Sequence, residues 1–217
     1  MFRTYTVAQM RYAEQQSVAH GVSLTQLMDN AGRALARTAI ELCPDLPIAV
    51  VCGAGNNGGD GYVCATALHL TDIDVTVWSI NREALEDDSL AGAAALSFER
   101  MGGVIHPLTE DTASIDPCAL IVDAVFGTGL TRPVTGVYAH AIGLINRSDV
   151  QVLSCDVPSG IDADTGRVMG DAVRADVTLM MGLAKPGCYL KPGCDYFGDA
   201  RLTDIGIPAA AVTGFPF

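Results

Sequence analysis

The chain has 217 residues, 49% of them hydrophobic, and a formal net charge of −12. Length and apolar content suit a single domain over 1–217 with a full core, and the acidic balance argues against a nucleic-acid partner, which would need a basic face. Seven scattered cysteines without a C-x-x-C pair read as buried thiols of a reducing compartment; with no apolar run of ~18 residues and no signal-like N-terminus, a cytoplasmic protein without membrane contact is expected.

In chain order, residues 6–20 read as a helix. Thr6 is its cap and Gln9, three residues on, completes a capping-box pattern; Gly21 ends it. Ser23 starts a second helix whose apolar stripe, Leu24, Leu27, Met28, Ala31, Leu35, Ala39 and Leu42, runs up to Pro44. Two helices ahead of the first strand are extra to a plain doubly wound fold. They pack on the sheet or form an arm against a second copy, and a symmetric homodimer is expected. Ile48–Cys52 is a buried strand. It runs into Gly53-Ala-Gly-Asn-Asn-Gly-Gly-Asp-Gly61, and a helical pattern follows with Val63, Ala67 and Leu70 at i, i+4 and i+7.

Residues 75–80 read as a strand and 83–101 as an alanine-rich helix. A short strand begins near Val104-Ile105. Further strands are expected over 119–125, 150–155, 176–181 and 200–204, with a helix over about 136–147. Strands separated by helices specify a three-layer, Rossmann-like α/β fold: a mainly parallel sheet with helices on both faces.

Strand, glycine-rich loop and helix together direct loop amides and a helix N-terminus at an anion. Gly53, Gly55 and Gly58 fit G-x-G-x-x-G, a weak signal alone. Asn56, Asn57 and Asp60 add oxygens that a pure phosphate cradle does not need, so a sugar hydroxyl or a cation is implied as well. In a parallel sheet, ligands bind outside the carboxyl ends of the strands. Three more loops on that rim are rich in Gly, Asp and Ser: Asp123 with 127–133, Asp156 with Ser159, and Lys185 with Gly187. Their convergence is more specific than any one loop. Asp123 either accepts loop amides or faces a cation or ligand. Asp156 and Ser159 either shape the turn at Pro158 or supply oxygens to a site. Lys185 is either solvated or a ligand contact, and Arg132 is either an exposed charge or meets a phosphate. Asp162 and Asp164 read as turn residues. The four histidines show no metal spacing and read as structural or solvated.

In this order, the motifs resemble those of the YjeF N-terminal domain family, the NAD(P)H-hydrate epimerases. The resemblance covers nearly the whole chain. Leu24-Thr-Gln-Leu-Met-Asp-Asn-Ala-Gly-Arg33 is similar to the family's L-M-[DE]-x-A-G helix, and Gly53–Gly61 to its G-x-G-N-N-G-G-D-G signature. Asp123–Leu130, Asp156–Asp162, Lys185–Gly187 and Asp204–Pro208 follow its later motifs. The resemblance implies a substrate, nicotinamide dinucleotide hydrated at ring C6 (NADHX or NADPHX), whose R and S epimers are interconverted so that a partner dehydratase can repair both. In many bacteria that dehydratase is fused behind the domain; no dehydratase domain is read in this chain, and a separate one is the expected partner. The resemblance further implies substrate binding by Asn56, Asn57, Gly58, Gly59 and Asp60, by Gly127, Thr128, Gly129, Leu130, Thr131, Arg132 and Pro133, and by Asp156. It implies a potassium ion held by Asn57, Asp123 and Ser159, an oxygen donor set fit for a hard cation.

For catalysis Asp156 is the candidate general acid–base and Lys185 a group that positions or assists it. Gly58→Val or Gly59→Val is expected to leave a folded chain that has lost its ligand. Two rivals stand beside the isomerase. An NAD(P)-dependent dehydrogenase would want an acidic residue at the end of the 75–80 strand, where Asn81-Arg82 stands. A non-catalytic nucleotide-binding or dimerisation scaffold of the same fold could dispense with Asp60, Asp123 and Asp156, which are all present.

Overall fold

The computed structural model describes residues 3–44, 46–115, 117–213 and 215. Its helices are α1 (Val7–Ala19), α2 (Leu24–Leu42), α3 (Asn56–His69), α4 (Leu90–Arg100) and α5 (Val137–Arg147). Its strands are β1 (Ile48–Cys52), β2 (Val75–Ser79), β3 (Ile105–Pro107), β4 (Leu120–Ala124), β5 (Gln151–Cys155), β6 (Val177–Met181) and β7 (Asp199–Thr203). The strands form one sheet in the order β3-β2-β1-β4-β5-β6-β7, and every neighbouring pair is parallel. Chain order runs outward from β1 in one direction and from β4 in the other. The β1/β4 boundary is therefore the switch point, where the carboxyl ends of adjacent strands leave a crevice for a ligand.

Apolar side chains that alternate along β1 divide between two cores. Ile48, Val50 and Cys52 face one side and meet Leu35 of α2, Tyr62 and Leu68 of α3 and Phe98 of α4. Ala49 and Val51 face the other side, where Ile142 and Ile145 of α5 close the layer. Central strands buried on both faces explain why β1 reads as a continuous apolar run, as do β4 apart from Asp123 and β6 apart from Thr178. Among the described residues no helix is long and apolar enough to cross a membrane.

The sequence-based boundaries differ from the structure in three instructive places. The capping box at Thr6 and Gln9 forms as expected, but α1 buries only Met10, Ala13 and Ser17. By contrast, α2 buries nine residues and belongs to the helical layer, so the two helices are not one free arm. The expected helix over 83–101 is a short 3-10 turn, Arg82–Ala84, followed by α4 from Leu90. Ser89 accounts for the break: its hydroxyl accepts the Gly92 N–H at 3.0 Å and donates to the Glu86 carbonyl at 2.6 Å. A local bond of this kind competes with helix continuation. Finally, the glycine loop is shorter than its motif: Asn56 to Asp60 already form the first turn of α3, behind Gly55 as the N-cap.

Candidate active site

A cleft of about 450 Å³ opens at the switch point, a size usual for small-molecule sites. One wall is helical, with Met10, Arg11 and Glu14 of α1 and Leu27 and Met28 of α2. The other is the sheet rim: Gly55, Asn56, Asn57 and Asp60 at the start of α3, Phe126 to Gly129 after β4, and Asp156 after β5. No side chain caps α3 at Gly55. With Gly55, Asn56 and Asn57 in the lining, the N-terminus of α3 faces the cleft, an arrangement suited to an anion.

Asp156 is the most constrained residue at this rim. Its φ is +66°, a left-handed conformation that costs a non-glycine residue of order 1 kcal/mol or more. Two donors to one carboxylate oxygen hold it there. The Met181 N–H reaches Oδ1 at 3.0 Å, and the Lys185 ammonium hydrogen-bonds the same oxygen. Lys185 is fully buried and also donates to the Met181 carbonyl at 2.7 Å. The second oxygen, Oδ2, is directed at Gly127: a Cβ added to that glycine would lie 3.4 Å from Asp156 Oδ2 and 2.8 Å from Asn57 Oδ1. Groups from three loops thus converge on one backbone position, where only a glycine leaves room.

Asp60 and Glu14 bring two more carboxyls to the cleft. Burial pushes the Asp60 carboxyl well above the ordinary carboxylate range, the charges of Asp156 and Glu14 push it further, and Lys185 opposes them. A thiol hydrogen bond from Cys155 to Asp60 Oδ2, 3.9 Å long, also lowers it. Glu14 is raised by burial and then by Asp156, against Lys185 and Arg11. Burial and like charge thus act in the same direction on Asp60 and Glu14, both favouring the protonated form of these two carboxyls, and Lys185 opposes both.

Asp123 sits deeper and is saturated. It is fully buried on β4, in register with Ser154 on β5. It accepts the Ser154 hydroxyl at 2.8 Å, the Ser159 N–H at 3.0 Å, the Ser159 hydroxyl at 2.5 Å and the Val125 N–H at 3.3 Å. Burial raises its carboxyl, and these four bonds oppose the rise. Ser159 also accepts the Phe126 N–H at 2.8 Å, which ties the β4 and β5 loops together. Among the described residues the Asn57 amide nitrogen is buried without a partner; the amide turned by 180° would present its oxygen there instead. One carboxylate with neutral oxygens is a donor chemistry that fits a hard cation. Among the described residues no trio of His, Cys, Asp and Glu is grouped for a transition metal.

The remaining expected site residues divide cleanly. Gly127, Thr128 and Gly129 line the cleft. Leu130 belongs to the core beneath, and Thr131, Arg132 and Pro133 are exposed away from the cleft lining. Of the two readings of Arg132, the structure shows the exposed one. Gly58 and Gly59 have packing reasons rather than ligand contact. A Cβ on Gly58 would lie 1.9 Å from the Gly53 carbonyl oxygen, and one on Gly59 would lie 2.5 Å from Met28 Cε. The expectation that valine spares the fold is therefore corrected at Gly58, where the clash is with backbone; at Gly59 the nearest facing atoms are the flexible end of Met28. Lys185 is neither solvated nor at the cleft surface but stands behind Asp156. Asp162 is a turn residue, accepting from Asp164 and Thr165, and Asp164 accepts the Val7 N–H at the start of α1. Cys43, Cys52, Cys64, Cys155 and Cys188 are buried as free thiols. Sequence reasoning missed Glu14: Met10 and Glu14 share a helix face by their spacing, but nothing local says that this face looks onto the sheet rim.

Comparisons with known proteins give the chain named relatives over most of its length. The chain is 38% identical over 211 residues to the NAD(P)H-hydrate epimerase of Levilactobacillus brevis, covering 96% of both proteins. It is 34% identical to the epimerase of Pirellula staleyi, over 96% of this chain and 94% of that one. It is 41% identical to the bifunctional NAD(P)H-hydrate repair enzyme of Thermofilum pendens, where it spans 37% of the longer protein. A crystal structure of a yeast protein shares the fold with a TM-score of 0.75 at 20% identity, covering 100% of this chain and 96% of that one. The family model described as YjeF-related protein N-terminus matches residues 24–187, and the chain belongs to that family.

Proposed function

We propose that this chain is an NAD(P)H-hydrate epimerase, an isomerase that interconverts the R and S epimers of NADH or NADPH hydrated at C6 of the nicotinamide ring. The observation that carries the reading is Asp156, anchored through one oxygen and open to the cleft through the other, at the switch point of a chain whose near full-length relatives are named as epimerases. In the hydrate, the C6 hydroxyl is beside the ring nitrogen. The nitrogen lone pair assists loss of that hydroxyl and leaves a planar iminium-like ring, to which water adds from the other face. Asp156 is the general acid–base of this exchange on the face it meets, giving a proton to a departing oxygen or taking one from an entering water, work that typically contributes about 10²–10⁴ in rate. Lys185 does not touch the ring; it fixes the orientation of Asp156 and balances its charge.

The N-terminus of α3 and the loop Gly127 to Gly129 receive the dinucleotide. In a protein of net charge −12, such local donors have to overcome the general field. Asn57, Asp123 and Ser159 would hold a potassium ion, which when bound supplies positive charge to the loops around the substrate phosphates. A symmetric homodimer and a separate dehydratase that dehydrates the hydrate epimer it accepts complete the proposal. Exposed Val18 and Leu24 at the α1–α2 turn supply an apolar contact for the dimer. Light scattering reporting the monomer mass at micromolar concentration removes the dimer from it.

The test is direct. Purified R- or S-NADHX is incubated with the protein, with and without potassium chloride, and the epimers are separated by chromatography. Equilibration faster than in buffer is expected. An epimer ratio that drifts no faster than without protein, at any salt tried, refutes the assignment. Oxidation of candidate alcohols followed at 340 nm would instead favour the dehydrogenase, and retained NADHX binding without epimerisation would favour the scaffold.

A further inference from the structure

We propose that Glu14 is a second proton-transfer residue of this site, serving the face of the nicotinamide ring opposite to the face served by Asp156. The proposal rests on the epimerase reading and deepens it. Asp156 comes from the sheet rim and Glu14 from the helical wall, and both line the same cleft. Their anchorage differs. Asp156 is 8% exposed, held at φ +66° and tied to Met181 and Lys185. It therefore has little freedom to reach both faces of a bound ring. Glu14 is half-buried, and among the described residues no hydrogen bond or ion pair holds its carboxyl. A long, unanchored carboxyl on the far wall is what a ring lying between the walls would meet on its other side.

The charges around it suit the role. Asp60 from α3 and Asp156 from the β5 loop face it with like charge; Lys185 and Arg11 face it with opposite charge. Chemically, the carboxylic acid on the hydroxyl's side gives its proton to the C6 oxygen. The C6–O bond breaks, water leaves, and the N1 lone pair becomes the N1=C6 double bond. Water then adds to C6 from the opposite side, the electron pair returns to N1, and the carboxylate there takes the proton. The substrate is isomerised, one proton has crossed from one carboxyl to the other, and nothing is oxidised or reduced. The enzyme is left ready for the epimer it has just formed.

This arrangement separates two events that a single acid–base would keep together: loss of the hydroxyl and change of face. The test is incubation of pure R- and pure S-NADHX in ¹⁸O-labelled water with wild type, Glu14→Gln, Glu14→Asp and Asp156→Asn, followed by chromatography and mass measurement of each epimer. Wild type is expected to epimerise and to label both. Glu14→Gln should epimerise at least 100-fold more slowly yet still label one epimer, by departure and return on the Asp156 side. Asp156→Asn should label only the other. Glu14→Asp should slow epimerisation while labelling both. Thermal melting and NADHX binding by calorimetry, both near wild type for the Glu14 variants, show that the site is intact. Epimerisation by Glu14→Gln within threefold of wild type, or labelling of neither epimer by a variant that still binds NADHX, overturns the proposal. Wild type that neither labels nor epimerises would overturn the epimerase reading itself, a result distinct from either.

Discussion

A methyl group on Gly58 tests whether the signature loop is glycine-rich for its ligand or for its own packing. The added Cβ would lie 1.9 Å from the Gly53 carbonyl oxygen and 2.9 Å from the carbonyl carbon, whereas ordinary contact begins at 3.4 Å. About 1.5 Å must be made up by moving backbone, because neither atom belongs to a side chain that can rotate away. Gly53 has little space to yield into. Its own Cβ direction is closed by the Val125 carbonyl oxygen at 2.1 Å, and its N–H is committed to Ala124 on the neighbouring strand at 3.0 Å. Overpacking costs typically 1–3 kcal/mol when side chains absorb it; a clash with two tied strand ends belongs at or above the top of that range. For a chain of this length, each kcal/mol moves Tm by roughly 2–4 °C, so Gly58→Ala should melt roughly 6–12 °C below wild type. Gly55→Ala is the control. Nothing lies within 4 Å of its added Cβ, so it should lose no more than a few tenths to ~1 kcal/mol as a poorer N-cap. Thermal unfolding followed by circular dichroism separates the two. A Gly58→Ala variant melting within 2 °C of wild type would refute the packing account and restore ligand contact as the reason for that glycine.

Lys185→Met keeps much of the buried volume but leaves Asp156 with the Met181 N–H as its donor; breaking a buried pair costs ~3–5 kcal/mol, so both Tm and epimerisation should fall, and an unchanged pH–rate profile with wild-type rate would remove Lys185 from the mechanism. Asp156→Asn should lose at least 100-fold in epimerisation with NADHX binding kept; near-normal turnover sinks its assignment. For Asp123→Asn, an NH₂ group replaces one acceptor oxygen opposite four donors, at a cost of about 1–3 kcal/mol; if potassium binds beside it, the wild type melts higher in potassium than in sodium chloride and this preference shrinks more than in Ser159→Ala, whereas an ion-blind wild type counts against the cation. Asp60 has a pH signature: its carboxyl is raised above the ordinary 3.8, so the folded state keeps a proton that the unfolded chain releases, and stability falls as pH rises from there through the folded value. Asp60→Asn should therefore match wild type below pH ~4 and out-melt it at neutral pH, and an equal difference at both pH values would contradict the shift.

Much of this molecule is readable along the chain because its signals are local. Ile48–Cys52 is a strand by its apolar run, Thr6 and Gln9 form a capping box by their spacing, and Gly, Asp and Ser cluster where strands end. Those patterns yielded the parallel sheet, the rim that carries the site, and Asn57, Gly127 and Asp156, which the fold brings together. The split at Ser89 was also local in cause, but an alanine-rich helical pattern outweighed one capping hydroxyl. Other features depend on distances through space, which no spacing encodes. Gly58 and Gly59 look like ligand glycines until Gly53 and Met28 are seen behind them. Lys185 is either solvated or a ligand contact along the chain; in the fold it is fully buried and bonds Asp156 and the Met181 carbonyl at the end of β6. Arg132 and Gly127 belong to one loop, yet Leu130 between them is buried in the core, and beyond it Arg132 is exposed while Gly127 lines the cleft. Asp60 and Glu14 carry ordinary carboxyls in sequence; burial and mutual repulsion, which exist only once α1, α3 and the β5 loop are packed at one crevice, make them groups that hold a proton.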